Sequence, residues 1–144
     1  MPPRSGPERR ANVLGALAHP VTDCWVATAG TDGPHLVPLT LAWLDERIVL
    51  AMAPSSRTAR NLTDNGVARL GIGPTRDVAM IDAVVERSID AAGELAERYA
   101  AVAGWDPRSH LNVLFVLRPE RIQAWREVDE HPGRTLMRDG TWLV

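Results

Sequence analysis

Apolar residues recur at every second position in several short stretches of the chain, and turn residues separate these stretches. A period of two places side chains alternately on the two faces of a β-strand. The pattern predicts strands at residues 24–30, 35–43, 47–53, 67–73, 77–89, 111–117 and 121–125. The second strand is apolar at both alternating sets of positions, so we expect it to be buried on both faces, in a barrel wall or at a subunit contact.

Three further segments, at residues 8–19, 55–65 and 91–103, have the period of an amphipathic helix. Ser55 or Ser56 can cap the start of the second helix. Strands outnumber helices, and no regular strand–helix alternation is present. The sequence therefore predicts a mainly β (α+β) fold, with six to eight antiparallel strands closed into a small barrel and two to three helices.

The 144 residues match the usual size of one domain with one hydrophobic core. The first residues are rich in proline, so we expect residues 1–10 to be flexible and residues 11–144 to form the domain. No apolar stretch approaches the roughly 20 residues that span a bilayer, and the N-terminus lacks the apolar core of a signal peptide. We therefore expect a cytoplasmic protein with no membrane partner.

All 16 positively charged residues are arginine, and the chain contains no lysine. Schiff-base chemistry, a lysine anchor for pyridoxal phosphate and a Walker-type P-loop are excluded, because each requires a lysine amine. Any phosphate must be bound by arginine, hydroxyl or backbone N–H groups. The net charge of −2 argues against nucleic acid as the main partner.

The residues that usually bind metals are few and widely spaced. Cys24 is the only cysteine, which excludes an internal disulfide and a thiolate metal cluster. The four histidines show none of the spacings of a zinc site, so we expect no bound metal.

Residues 53–62 carry the most informative polar pattern, a strand end that runs into a helix start with two serines and two arginines. The free N–H groups of a first helical turn carry partial positive charge, which makes such a segment suitable for binding phosphate. Arg57 and Arg60 are three residues apart and share a helix face. An ordinary capped helix with solvated arginines is the alternative interpretation.

Three other features have both a structural and a functional interpretation. Pro38 cannot donate to a strand ladder, so it lies at an edge, at a bulge or beside a ligand. His35 is either a structural residue or a proton donor. Trp43, Trp105 and Trp125 could stack on a flat ring, although large indoles are more often core or interface residues.

The order of these motifs resembles a known family. The matching segments are residues 25–28, 32–38 and 51–53, then Ser56-Arg57-Thr58-Ala59-Arg60-Asn61-Leu62, and residues 67–70. Together they resemble the pyridoxamine 5'-phosphate oxidase-like split β-barrel family, and they are most similar to its actinobacterial branch of flavin- and deazaflavin-dependent oxidoreductases. The resemblance extends from about residue 12 to the strand that ends at Trp125-Arg126.

The resemblance implies a homodimer with two cofactors, FMN or coenzyme F-420, bound at the subunit interface. Residues of the helix start would hold the phosphate: Ser55, Ser56, Arg57, Thr58, Arg60 and Asn61. Pro38, Leu39 and Thr40 would line the ring, and Trp125 would pack against the other subunit. Many family members have a lysine where this chain has Thr58.

The implied activity is hydride transfer between reduced F-420, or FMN, and a small conjugated organic substrate. His35 and Tyr99 are the candidates for protonating a product, although no acid or base is assigned. Two alternatives remain, a non-catalytic carrier of a flavin or tetrapyrrole and a pyridoxamine 5'-phosphate oxidase. The C-terminal residues do not reproduce the Arg/His substrate motif of the latter.

Overall fold

The computed structural model describes all 144 residues. It contains three α-helices and eight β-strands, which we number in chain order. They are α1 (Gly6–Ala18), β1 (Thr22–Gly30), β2 (Gly33–Leu44), β3 (Arg47–Met52), α2 (Arg57–Asn65), β4 (Val67–Ile72), β5 (Val78–Asp90), α3 (Gly93–Ala103), β6 (Val113–Trp125), β7 (Thr135–Arg138) and β8 (Thr141–Trp142). Two short 3₁₀ turns cover Pro107–Ser109 and Val128–Glu130.

The strands form one antiparallel sheet in the order β3-β2-β1-β4-β5-β6-β7-β8. An additional pairing of β3 with β6 closes the first six strands of this order into a barrel. The short strands β7 and β8 extend the sheet beyond β6. The predicted mainly β fold, with an antiparallel barrel and three helices, is confirmed.

The C-terminal part of the sheet differs from the prediction in β6 and in the short strands β7 and β8, which we did not predict. We predicted separate strands at residues 111–117 and 121–125, but β6 is continuous from Val113 to Trp125. Pro119 pairs with Ala83 and Arg121 pairs with Asp82, so one extra residue lies on β6 at this point. Such a bulge accommodates a proline, which cannot donate to the ladder, without ending the strand.

The hydrophobic core fills the barrel and contains the inward side chains of the strands. Leu17 of α1 and Leu62 of α2 are also part of this core. A second, smaller cluster lies on the outer side of the barrel, where Tyr99 of α3 packs against Ala42 of β2 and Val49 of β3.

The N-terminal helix begins inside the segment that we expected to be flexible. Ser5 caps α1 and forms a capping box with Glu8, so residues 6–10 are helical. The boundary that we placed after residue 10 therefore falls within α1. Just before the helix, Arg4 forms hydrogen bonds with Glu130 near the other end of the chain.

Strand β2 is buried on both faces only in its second half. There α3 covers the outer face at Ala42, whereas the outward side chain of Leu36 in the first half is 60% exposed. Trp25 of β1, which pairs with Pro38, is 54% exposed, and Val67 of β4 is 50% exposed. We call this uncovered outer surface of β1, β4 and the first half of β2 the open face.

Candidate functional site

The first turn of α2 lies beside the hairpin that connects β1 and β2. Ser56 is the N-cap, and its hydroxyl accepts a hydrogen bond from the N–H of Ala59 at 3.1 Å. The N–H groups of Arg57 and Thr58 have no acceptor within the chain. Free donors at a helix start, together with the helix dipole, favour an anion at this position.

Both arginines of this turn lack a carboxylate partner. Arg57 Nη2 donates to the carbonyl of Asp32 at 3.0 Å, and Arg60 Nη1 donates to the carbonyl of Ser55 at 3.4 Å. Eight other arginines form ion pairs with acidic side chains: Arg4, Arg47, Arg69, Arg76, Arg98, Arg108, Arg118 and Arg126. The positive charge at the start of α2 is thus not neutralised by acidic side chains of the protein.

The structure divides the predicted phosphate-binding residues into two groups. Ser55 and Arg60 are exposed and Arg57 is partly exposed, whereas Thr58 and Asn61 are buried. The Thr58 hydroxyl makes no hydrogen bond within the chain. A phosphate would therefore approach the exposed residues and the free N–H groups.

Asn61 connects α2 to strand β1 of the barrel by a hydrogen bond. Its Nδ2 donates to the hydroxyl of Thr28 in β1 at 3.1 Å. A side chain at Gly30 would collide with the Asn61 amide, so the helix approaches the strand closely at a position that only glycine permits. Asn61 thus positions the helix start by holding α2 against β1.

The residues predicted to line a ring alternate between the two sides of β2. Pro38 points outward onto the open face, opposite Trp25, whereas Leu39 packs against the barrel core. The Thr40 hydroxyl donates to Asp23 Oδ1 at 2.8 Å. Strand β3 pairs with β2 only at residues 42–44, so Pro38 also lies on an unpaired edge of β2, as its missing N–H predicts.

Tyr99 of α3 is fully buried against β2, and its hydroxyl donates to the carbonyl of Thr40 at 2.7 Å. Burial raises the pKa of Tyr99 to about 12. A hydroxyl that is enclosed and already bonded to the backbone cannot reach a substrate. Our prediction of Tyr99 as a proton donor therefore finds no support in its position, and we assign it a structural role.

The remaining predicted residues lie farther along the sheet. His35 is partly buried on β2, opposite Thr28, and its ring makes no hydrogen bond within the chain. Trp125, at the end of β6, packs edge to face against His131 with ring centroids 6.0 Å apart. Cys24 is buried, and burial raises the pKa of its thiol to about 12, which makes it a poor nucleophile.

Two grooves on the open face contain residues that the sequence did not identify. The larger has a volume of about 490 Å³, within the size range of small-molecule pockets. Its floor includes Ala27 and Ala29, and its wall includes the bidentate ion pair of Arg69 with Asp82. It reaches Thr28, the residue that anchors α2.

The smaller groove has a volume of about 340 Å³ and is lined by Asp23, Cys24, Trp25, Pro38, Gly71 and Gly73. Trp25 was missed because it is one apolar residue in an alternating strand. Only the register, which pairs it with Pro38 on one side and Gly71 on the other, shows that it lies on an uncovered surface.

No group of three or more histidine, cysteine or acidic side chains has the arrangement of a metal site. None of the three α-helices has the length and apolar character that crossing a bilayer requires.

Comparison with known proteins assigns the family. The family model described as Pyridoxamine 5'-phosphate oxidase matches residues 17–126, which is more than half of the chain. The chain belongs to the pyridoxamine 5'-phosphate oxidase family. The matched range includes both the start of α2 and the open face, and it ends one residue after Trp125. A search of curated proteins finds no significant match.

Solved structures support the same fold for this family member. An F-420 reductase is 18% identical, with a TM-score of 0.63 over 75% of this chain and 93% of the other. A heme binding protein from Mycobacterium smegmatis is 17% identical, with a TM-score of 0.63 over 94% of this chain and 58% of the other. An FAD-binding protein from Mesorhizobium loti is 16% identical, with a TM-score of 0.57 over 84% of this chain and 92% of the other. At these identities, the similarities establish the fold.

Proposed function

We propose that this protein is a cytoplasmic oxidoreductase that transfers a hydride between reduced F-420, or FMN, and a small conjugated organic molecule. The observation that carries the proposal is the start of α2, where two free N–H groups and two arginines without carboxylate partners lie beside the open face. The similarity to an F-420 reductase and to an FAD-binding protein supports a cofactor of the flavin type.

The donor set at the start of α2 fits the phosphate that FMN and F-420 both carry. Backbone N–H and guanidinium groups form charge-assisted hydrogen bonds to a phosphate, and these are stronger than neutral ones. Arg57 and Arg60 would supply the charge that a lysine at position 58 supplies in many family members. Thr58 contributes its N–H and a hydroxyl that has no partner within the chain.

The open face fits the ring of the cofactor. The cofactor itself would supply the redox chemistry, while the protein binds it, orients it and excludes water. Pro38 and Thr40 point outward on β2 and are the residues that we expect beside the ring. Leu39 would support that surface from inside the barrel.

We also propose that the active form is a homodimer with the cofactor at the subunit interface. In the single chain the open face exposes Trp25, Leu36 and Val67, which are large apolar side chains on neighbouring strands. A second copy would cover this apolar surface together with the cofactor ring that lies on it. Trp125 is expected to pack against the other subunit.

A spectrum of the purified protein, combined with mass analysis of any small molecule that co-purifies, tests the assignment directly. We expect a flavin or deazaflavin absorbance, or a shift of ring absorbance when either coenzyme is titrated into the protein. The proposal fails if neither FMN nor F-420 binds at micromolar concentration. Peroxide release on addition of pyridoxamine 5'-phosphate would instead indicate the oxidase activity.

A non-catalytic carrier of a flavin or tetrapyrrole is the second candidate function. The similarity to a heme binding protein, which extends over 94% of this chain, favours it. Turnover distinguishes the two functions, because a carrier would hold a reduced cofactor that no conjugated acceptor reoxidises.

A further inference from the structure

The smaller groove of the open face, which we call the Trp25 groove, lies at the end of the β1–β2 hairpin that is farther from α2. Asp32 contacts Arg57 at the turn of this hairpin. Trp25 and its partner Pro38 lie about five or six residues from the turn, a distance of roughly 20 Å along a strand. The groove is therefore separate from the cationic start of α2.

Trp25 provides a free aromatic surface in this groove. Its side chain is 54% exposed, although tryptophan is usually well buried in folded proteins. Its ring packs against no other aromatic ring, and no arginine lies over it. Pro38 continues the flat surface on β2. An exposed indole beside a proline ring is suited to stacking on a flat conjugated molecule.

Gly71 keeps the opposite side of the groove open. It pairs directly with Trp25 and adds no side chain that could cover the indole. Gly73 also lines the groove, but its φ of +84° and the collision of any side chain with the carbonyl oxygen of Asp77 mean that this glycine serves the turn after β4. The missing side chain at Gly71 lets a ring approach the sheet closely.

Asp23 is the only charged residue that lines the groove. It lies two residues before Trp25, so both side chains point to the same side of β1. The Thr40 hydroxyl donates to Asp23 Oδ1 and thereby orients the carboxylate. Asp23 forms no ion pair with any arginine, so its negative charge is not neutralised within the chain.

We propose that the Trp25 groove binds a flat conjugated ring that presents a hydrogen-bond donor or a positive charge to Asp23, and that it rejects anionic rings. The ring is either that of the cofactor or that of the second substrate. The role of the Trp25 groove in catalysis rests on the function proposed above. The kind of ligand that the groove binds is inferred from its lining residues alone.

Two acridine dyes of matched shape and opposite charge test the ligand chemistry. Proflavine is a planar cation at neutral pH, and acridine-9-carboxylate is a planar anion. Titration of each dye into the full-length protein, with saturating inorganic phosphate present to occupy the start of α2 and with dye absorbance as the readout, should give about tenfold tighter binding for the cation. Asp23→Asn keeps an acceptor for Thr40 and should abolish that preference. Trp25→Leu should weaken both dyes about tenfold, while Trp25→Phe should restore most of the binding.

Matched controls lie outside the groove. Asp64→Asn removes an exposed carboxylate of α2, and Leu111→Ala removes an exposed apolar side chain outside the open face. Neither should change the binding of either dye. Equal affinity for the two dyes would overturn the proposal, and so would a loss of binding in the controls that matches the loss in the groove variants. Circular dichroism of each variant confirms that it is folded.

A second titration, in the presence of FMN, separates the two sources of the ring. Displacement of proflavine by FMN assigns the groove to the ring of the cofactor, and simultaneous binding assigns it to the substrate. If neither coenzyme binds, the proposed function fails. The proposal for the Trp25 groove is then still tested by the preference for the cationic dye and by the loss of that preference in Asp23→Asn.

Discussion

Arg60 projects from the first turn of α2 with only the carbonyl of Ser55 as a partner, at 3.4 Å. No acidic side chain competes with a ligand for its guanidinium group. We expect Arg60→Ala to weaken binding of FMN or F-420 by about 1.5–3 kcal/mol, the value of one hydrogen bond to a charged group. Ring absorbance during coenzyme titration measures this loss.

Arg87→Ala is the matched control, because Arg87 is an exposed arginine of β5 that forms no ion pair. It should bind the coenzyme as tightly as the parent protein. Arg57→Ala should behave like Arg60→Ala, with an additional loss of the contact to Asp32. If both α2 variants bind as tightly as the parent, the phosphate site is elsewhere.

For Tyr99, in contrast to Arg60, we expect a substitution to affect stability and not coenzyme binding. Its hydroxyl donates to the Thr40 carbonyl inside the protein. Tyr99→Phe should therefore lower the free energy of unfolding by about 1 kcal/mol and leave coenzyme binding and turnover unchanged. Urea denaturation and steady-state turnover test the two parts. If the variant has parental stability but a large loss of turnover, Tyr99 is a candidate proton donor after all.

At the scale of elements, the position of α2 depends on its contact with β1. Gly30→Ala should force the Asn61 amide away and destabilise the protein by about 1–3 kcal/mol. Asn61→Ala should cost about 1–2 kcal/mol, because Thr28 loses its hydrogen-bond partner. Urea denaturation of the two single variants and of the double variant measures both effects.

The double variant should lose clearly less than the sum of the single losses, since removal of the amide makes room for the new methyl group. Additive losses would mean that the contact between Gly30 and Asn61 does not hold α2. Gly15→Ala is a control, because a side chain at that position of α1 meets no neighbour.

The sequence predicted most elements because their signals are local. Alternation defined the strands, and a serine at position 55 or 56 marked the start of α2, where Ser56 is the N-cap. The continuity of β6 could not be predicted, because a proline ends a strand or sits in a bulge depending on what pairs with it. Here Pro119 pairs with Ala83 of the neighbouring strand, next to the bulge.

The site was predictable only in part, for the same reason. The charge and free donors of α2 follow from residues 55–60 alone, so local sequence sufficed. The burial of Asn61, the exposure of Trp25 and the enclosure of Tyr99 depend on β1, β4 and β2 respectively. These contacts join residues that are far apart in the chain.

At the scale of the whole molecule, the two ends of the chain meet at one buried carboxylate. Glu130 is 1% exposed and accepts two hydrogen bonds from the Arg4 side chain, at 2.8 and 3.0 Å. The backbone N–H groups of Arg4 and Arg126 donate to it as well, each at 2.7 Å. Arg9 donates to the Glu130 carbonyl at 3.1 Å. Residues 1–10 are thus connected to the C-terminal segment by hydrogen bonds.

These hydrogen bonds, above all those from the Arg4 side chain, lower the pKa of Glu130 to about 2. In the unfolded chain the same group titrates near its ordinary value of 4.5. Because the folded pKa is the lower one, the stabilisation is complete above pH 4.5 and is lost as the pH falls toward 2. A shift of this size corresponds to about 3 kcal/mol, so acid should lower the free energy of unfolding by up to about that amount.

Glu130→Gln should remove most of this stabilisation at neutral pH, because the amide cannot neutralise Arg4 in a buried site. Its free energy of unfolding should also depend less on pH between 4.5 and 2 than that of the parent protein. Urea denaturation at a series of pH values measures both effects. Glu97→Gln, which removes an exposed carboxylate of α3, should keep the parental pH dependence. If Glu130→Gln instead loses as much stability on acidification as the parent does, carboxylates other than Glu130 cause the acid sensitivity.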